Sequence, residues 1–120
     1  MARILLADDE LATRELVGRA LAGDGHQVTA VEDGQAALDR LLAAPAGFDL
    51  LITDVHMPAL DGIALAVRAR GVAANLRVLL MSGYQTGIGA AAALAPPVPR
   101  LVTKPFTLEQ IRAEVRAALA

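Results

Sequence analysis

At 120 residues the chain has the length of one ordinary domain. Its formal charge of −2, with eleven Lys and Arg scattered along it, leaves no basic stripe of the kind that binds DNA or RNA directly. Apolar residues at 55% against 20% charged exclude disorder. The absence of cysteine excludes a disulfide framework, a thiolate metal site and a thiolate nucleophile, and suits a reducing cytoplasm. No apolar stretch is long enough to span a bilayer, and Met1-Ala2-Arg3 leads into an apolar run without a secretion signal. A single domain over 1–120, cytoplasmic and without a membrane partner, is expected.

Residues 4–7 form the first short apolar run and read as a strand. Leu16, Val17, Ala20 and Leu21 then share one helical face, with Arg14, Glu15 and Arg19 elsewhere, and Gly23 to Gly25 supply the stop. Residues 28–31 give a second strand, followed by a helix that starts after Asp33-Gly34 and ends by Pro45. A third strand over 50–53 leads to a helix after Asp61-Gly62, for which Gly71 predicts a left-handed cap. The fourth strand covers 78–81. Between 84 and 99, Gly87, Gly89, Pro96, Pro97 and Pro99 surround one alanine-rich stretch, 90–95, which predicts a short or mobile fourth helix. The fifth strand, 101–103, precedes a last helix with Thr107 as N-cap and Gln110 three residues on, burying Leu108, Ile111, Val115 and Leu119. Such alternation of short apolar runs with helical segments predicts an α/β fold, a doubly wound five-stranded parallel sheet.

Four of the five runs end in a group able to handle phosphate or a divalent metal: Asp8-Asp9, Asp54, Ser82 and Lys104. In an open parallel sheet every strand points the same way, so these groups converge at one edge, where α/β proteins bind ligands. Three carboxylates in one crevice repel one another, and a hard cation with oxygen ligands is the usual relief, with Mg²⁺ the first choice. One carboxylate can then act as nucleophile on phosphorus, while an ammonium and a hydroxyl, the types of Lys104 and Ser82, meet the charge on the equatorial oxygens.

The acidic pair, Asp54 in Thr-Asp-Val-His-Met-Pro-Ala-Leu-Asp-Gly, the hydroxyl in Met-Ser-Gly and Lys104-Pro105-Phe106 together resemble the response-regulator receiver family, over essentially the whole chain. The resemblance implies a CheY-like fold with strand order 2-1-3-4-5 and a cis peptide before Pro105. It implies Mg²⁺ held by the side chains of Asp8, Asp9 and Asp54 and the backbone carbonyl of His56. Asp54 would be the phosphoacceptor, with Ser82 and Lys104 on the phosphoryl group and Gly83 leaving access to it. The donor would be a histidine kinase or histidine phosphotransferase. The opening Met-Ala-Arg-Ile-Leu-Leu-Ala, the Gly-His-Gln-Val segment and the irregular fourth helix are similar to the CpdR-type, stand-alone regulators of alphaproteobacteria. Output through the fourth helix, fifth strand and fifth helix follows from the family likeness, with a protease or its substrate among the downstream partners. The small apolar ending Ala117-Ala118-Leu119-Ala120 resembles tails read by the ClpXP protease, against simple fraying of a final helix. Leu101 stands where many receivers carry an aromatic residue, so their aromatic rotamer switch cannot operate in its usual form.

Each residue has a plainer reading. Asp8-Asp9 can be a helix N-cap and Asp54 a turn former before Pro58, but neither accounts for Ser82 and Lys104 at the matching strand ends. Ser82 can be a strand terminator. His26 begins the second strand and belongs to the opposite edge, as a structural residue. The His56 side chain tunes access of water, and Met57 and Phe106 are packing residues. Gly87-Ile88-Gly89-Ala90-Ala91-Ala92 fits a dinucleotide glycine pattern but does not follow the first strand of its unit, and reads as a flexible loop. A non-enzymatic switch, limited to self-phosphorylation and autodephosphorylation, is expected. The alternatives are a Mg²⁺-dependent aspartyl phosphatase, for which a second aspartate after Asp54-Val55 is missing, and a phosphate-independent receiver-like scaffold.

Overall fold

Five parallel strands pair in the order β2-β1-β3-β4-β5 in the computed structural model, which describes residues 1–83 and 98–120. In chain order the elements are β1 (Arg3–Ala7), α1 (Leu11–Gly23), β2 (Gln27–Val31), α2 (Gly34–Ala43), β3 (Leu50–Asp54), α3 (Gly62–Val72), β4 (Arg77–Ser82), β5 (Arg100–Thr103) and the C-terminal helix α4 (Leu108–Leu119). The expected fourth helix over 90–95 and the glycine pattern at 87–92 lie outside the described residues.

Side chains alternate across a strand, and here the alternation feeds two cores. Leu5, Leu51, Val78 and Leu80 point to one face, where Ala37 and Leu41 of α2 and Leu65 and Ala69 of α3 cover them. Ile4, Leu6, Leu50, Ile52, Leu79 and Met81 point to the other, against Val17 and Leu21 of α1 and Ile111 and Val115 of α4. The central strand β3 is buried along its full length, which is why its sequence is an unbroken apolar run up to Thr53.

Local chemistry fixes the helix ends. Asp33 and Asp61 accept hydrogen bonds from the backbone N–H groups of Ala36 and Ala64 at 2.7 and 2.8 Å, and Thr107 forms a capping box with Gln110. After α1, Gly25 takes a φ of 91°, the left-handed turn its missing side chain permits. Two expectations are corrected. Leu16 is 55% exposed, because the buried face of α1 is Val17, Ala20 and Leu21 and the preceding position lies roughly 100° around the helix. Gly71 lies inside α3, which runs on to Val72 and ends at Ala73 with φ of −134°, so no left-handed cap forms there. In α4, Ile111 and Val115 are buried while Leu108 and Leu119 are half-buried against the core.

The loop between β3 and α3 is held tightly from two sides. A Cβ on Gly34 would lie 2.6 Å from the carbonyl oxygen of Leu60, and one on Gly62 would lie 2.1 Å from that of Asp54. Within this clamp Ala59 adopts a φ of 65°, a left-handed conformation that strains an L side chain. Ala59→Gly should therefore stabilise the fold by about 0.5–1 kcal/mol, the relief of strain exceeding the entropy added to the unfolded chain. Urea denaturation measures it, and an unchanged or lower midpoint would contradict the strain.

Candidate functional site

Strand register sets the level at which each polar group emerges. Ala7 pairs with Thr53, so Asp8 leaves β1 level with Asp54, and Asp54 pairs with Met81, so Ser82 lies one residue further along β4. Ser82 in turn pairs with Thr103, which places Lys104 just past the end of β5.

Asp8 is fully buried and fixed from several directions. Its N–H donates to the Val31 carbonyl at 3.2 Å, its Oδ1 accepts the Glu10 N–H at 2.9 Å, and its carbonyl accepts Nη1 of Arg14 at 2.8 Å. Its Oδ2, also buried, has no hydrogen-bond partner among the described residues and faces the Lys104 ammonium at 3.6 Å. Burial holds the Asp8 carboxyl above its ordinary pKa; the Glu10 N–H and Lys104 pull it down, and the charges of Asp54 and Asp9 push it up.

Asp54 directs Oδ2 to Lys104 Nζ at 2.9 Å, and its Oδ1 accepts the His56 backbone N–H at 3.2 Å. Burial draws the Lys104 ammonium toward lower pKa, but the hydrogen bond it donates to Asp54 and the charges of Asp8, Asp54 and Glu10 outweigh it and hold the group above its ordinary value. Lys104 therefore stays charged. Ligand oxygens of Asp8, Asp9 and Asp54 lie within 4.8 Å of one another. Three hard oxygen donors at this spacing match what a small divalent cation requires. A single ammonium at their side offsets only part of their charge.

Ser82 is fully buried, its carbonyl accepts the Lys104 N–H at 2.8 Å, and the peptide between Lys104 and Pro105 is cis. Gly83 is exposed, with open space where a Cβ would stand. His56 is exposed at the rim, Met57 is buried in the core, and Phe106 packs half-buried against the other core. Leu101 is half-buried against the α2–α3 side. His26 lies at the far edge of the sheet, where its Nδ1 accepts the Ala2 N–H at 3.1 Å.

Two contributors escaped the sequence reading. Arg14 appeared only as a polar position of α1, yet it grips the Asp8 carbonyl, and its place one turn into the helix after the acidic pair was the available signal. Gly62 was read as part of a helix start, whereas its missing side chain lets α3 begin against the Asp54 backbone. Nothing local announces that contact.

This fold and site define a class, and residues 4–116 match the response regulator receiver domain. The chain belongs to that family and is a two-component response regulator receiver. It is similar to the response regulator receiver protein CpdR of Brucella abortus, at 37% identity with 99% of this chain and 98% of that protein covered. Among solved structures it is similar to the receiver domain of the hybrid histidine kinase CckA, at 33% identity and TM-score 0.83 over 98% of this chain and 99% of that one. The chemotaxis protein CheY4 of Vibrio cholerae superposes with TM-score 0.86 at 27% identity, covering 99% of each chain. Among the described residues no helix is long and apolar enough to cross a membrane.

The buried charge at Asp8 is a cost that the fold carries for its site. Without divalent cations, Asp8→Asn should raise stability at neutral pH by about 1–2 kcal/mol, since it removes a desolvated, like-charged carboxylate. A folded pKa above the unfolded one means that this cost is absent in acid, where both states are protonated, and sets in as pH rises past the unfolded value; the gain should shrink toward acid. Thermal denaturation across pH in a chelating buffer checks it, and a loss of stability in the variant would show that the wild-type carboxylate is satisfied.

Proposed function

We propose that residues 1–120 act as one receiver unit that takes a phosphoryl group from a histidine kinase or histidine phosphotransferase onto Asp54. The reading rests chiefly on the convergence of a buried orphan oxygen on Asp8, the Asp54 carboxylate and the charged Lys104 at one sheet edge. Asp8, Asp9 and Asp54, with the backbone carbonyl of His56, would hold Mg²⁺, which when bound screens the carboxylates and the phosphoryl oxygens. A carboxylate oxygen of Asp54 attacks phosphorus, the bond from phosphorus to the donor's imidazole nitrogen breaks, and that nitrogen takes up a proton. Lys104 then exchanges part of its contact with Asp54 for a phosphoryl oxygen, and the Ser82 hydroxyl meets another. Gly83 leaves the approach open.

A hollow of about 380 Å³ beside Lys104, lined by Glu10, Thr13, Leu16, Val17, Pro105 and Phe106, supports docking of a helical phosphodonor there, and it gives the exposed Leu16 an apolar role. Output belongs to β5 and α4 together with the fourth helix expected from the sequence, which lies outside the described residues, and Leu101 leaves no aromatic switch in its usual form. The resemblance to CpdR-type regulators supports a protease or its substrate as the downstream partner. The site's accessible chemistry is self-phosphorylation and autodephosphorylation, in a cytoplasmic protein.

A small phosphodonor such as acetyl phosphate should label the wild type only with a divalent cation present, because the carboxylates otherwise repel the incoming anion. Mass spectrometry should place the label on Asp54, and equal labelling of Asp54→Asn would sink the assignment. Lys104→Ala should keep metal binding but uncouple the response. In an NMR titration with Mg²⁺ and then beryllofluoride, its beryllofluoride-induced shifts should stay near Asp54. Shifts as extensive as those of the wild type would remove this role for the ammonium.

A further inference from the structure

At the edge of the sheet opposite Asp54, arginines take the place that carboxylates hold at the phosphoacceptor edge. Arg77 opens β4 and Arg100 opens β5, the strands that end in Ser82 and just before Lys104. Around them two adjoining hollows, of about 480 and 240 Å³, share Arg77 and Ala120 in their walls; Arg116 and His26 line the larger, and Arg70, Arg100 and Val98 the smaller. The acids at this end are engaged by Arg3 and Arg100, although Asp49 also lines the larger hollow and its carboxylate feels the charge of Arg77. Asp49 binds Arg3 through its side chain and through the Arg3 backbone N–H at 2.8 Å, and Glu114 binds Arg100 at 2.7 Å.

Arg77 and Arg116 are exposed, and among the described residues neither forms an ion pair. Residues 84–97, which complete the chain, contain no acidic side chain that could pair with them. Arg70 is held in place by its Nε–H bond to the Leu76 carbonyl at 3.0 Å. Apolar surface adjoins the cations, with Val98 60% and Met1 92% exposed. In a chain of net charge −2, this is a local concentration of cations against the overall sign.

We propose that this far edge is a second docking surface, which takes a carboxylate-rich peptide segment of a protein partner with apolar residues interleaved. Guanidinium groups bind carboxylates in paired fashion, and the exposed valine and methionine supply the apolar contacts. A nucleic acid fits less well, because the patch is short and no aromatic side chain among the described residues lies there to stack a base. The length of β4 puts the surface roughly 15–20 Å from Ser82. A partner held there leaves the Asp54 edge free for a phosphodonor, so the surface does not depend on the phosphoacceptor reading.

The test uses the full chain and a fluorescein-labelled peptide of alternating glutamate and leucine, followed by anisotropy at low ionic strength. Wild type and Asp54→Asn should bind alike, and added salt should weaken both. Arg77→Glu/Arg116→Glu should bind about tenfold more weakly, Arg77→Gln/Arg116→Gln should fall between, and wild-type binding by the double Glu variant overturns the proposal. Arg19→Glu/Arg40→Glu, which makes the same change in net charge on exposed helix surfaces, should bind as the wild type does. No binding by the wild type, or an equal loss in the Arg19/Arg40 variant, overturns the proposal. So does a single-stranded RNA of matched charge binding as tightly as the peptide.

Discussion

The ion cluster of Lys104 with Asp54 and Asp8 is the constraint on which the remaining structure depends. Two buried carboxylates at the carboxyl edge of a parallel sheet are tolerable only because an ammonium reaches them from β5, at 2.9 and 3.6 Å. Removal of such charges from water is expensive, and one ammonium cannot balance Asp8, Asp9 and Asp54 together. The site is therefore built with an excess of negative charge that a bound divalent cation can relieve. Binding energy is thereby coupled to the arrangement of three separate strands.

Precision around this cluster comes from backbone contacts more than from side chains. Arg14 and Glu10 hold the Asp8 turn, Gly62 brings α3 against the Asp54 carbonyl, and Gly34 grips the same loop from α2. The loop bearing Ala59 at a φ of 65° is over-determined by these contacts, as strained segments beside functional groups commonly are. A shift of Ser82 or Lys104 toward a new anion would act directly on the ends of β4 and β5. Ser82 ends β4, where the stretch of sequence that joins it to β5 begins, and Lys104 follows the last residue of β5.

The two edges of the sheet have opposite electrostatic character. Carboxylates gather where the strands end and arginines where β4 and β5 begin, although the chain as a whole is almost neutral. Because parallel strands share one direction, a residue type repeated at strand ends becomes a patch, which antiparallel strands would divide between two edges.

By itself the sequence determined the α/β class, the strands to within a residue at each end, the N-caps Asp33, Asp61 and Thr107, and the positions at which polar groups leave the sheet. These are local: apolar runs of strand length, capping side chains and the residue directly after each run. With the direction of a parallel sheet they brought Asp8, Asp54, Ser82 and Lys104 to one edge before any coordinates. Tertiary structure alone decided which of two adjacent leucine and valine positions in α1 turned inward, leaving Leu16 out, and carried α3 past Gly71. It also decided the depth of Asp8, the grip of Arg14 on its carbonyl and the need for glycine at 62. Those features depend on the distance between segments far apart in the chain, and a backbone carbonyl 2.1 Å from a missing Cβ leaves no mark on the residues beside it.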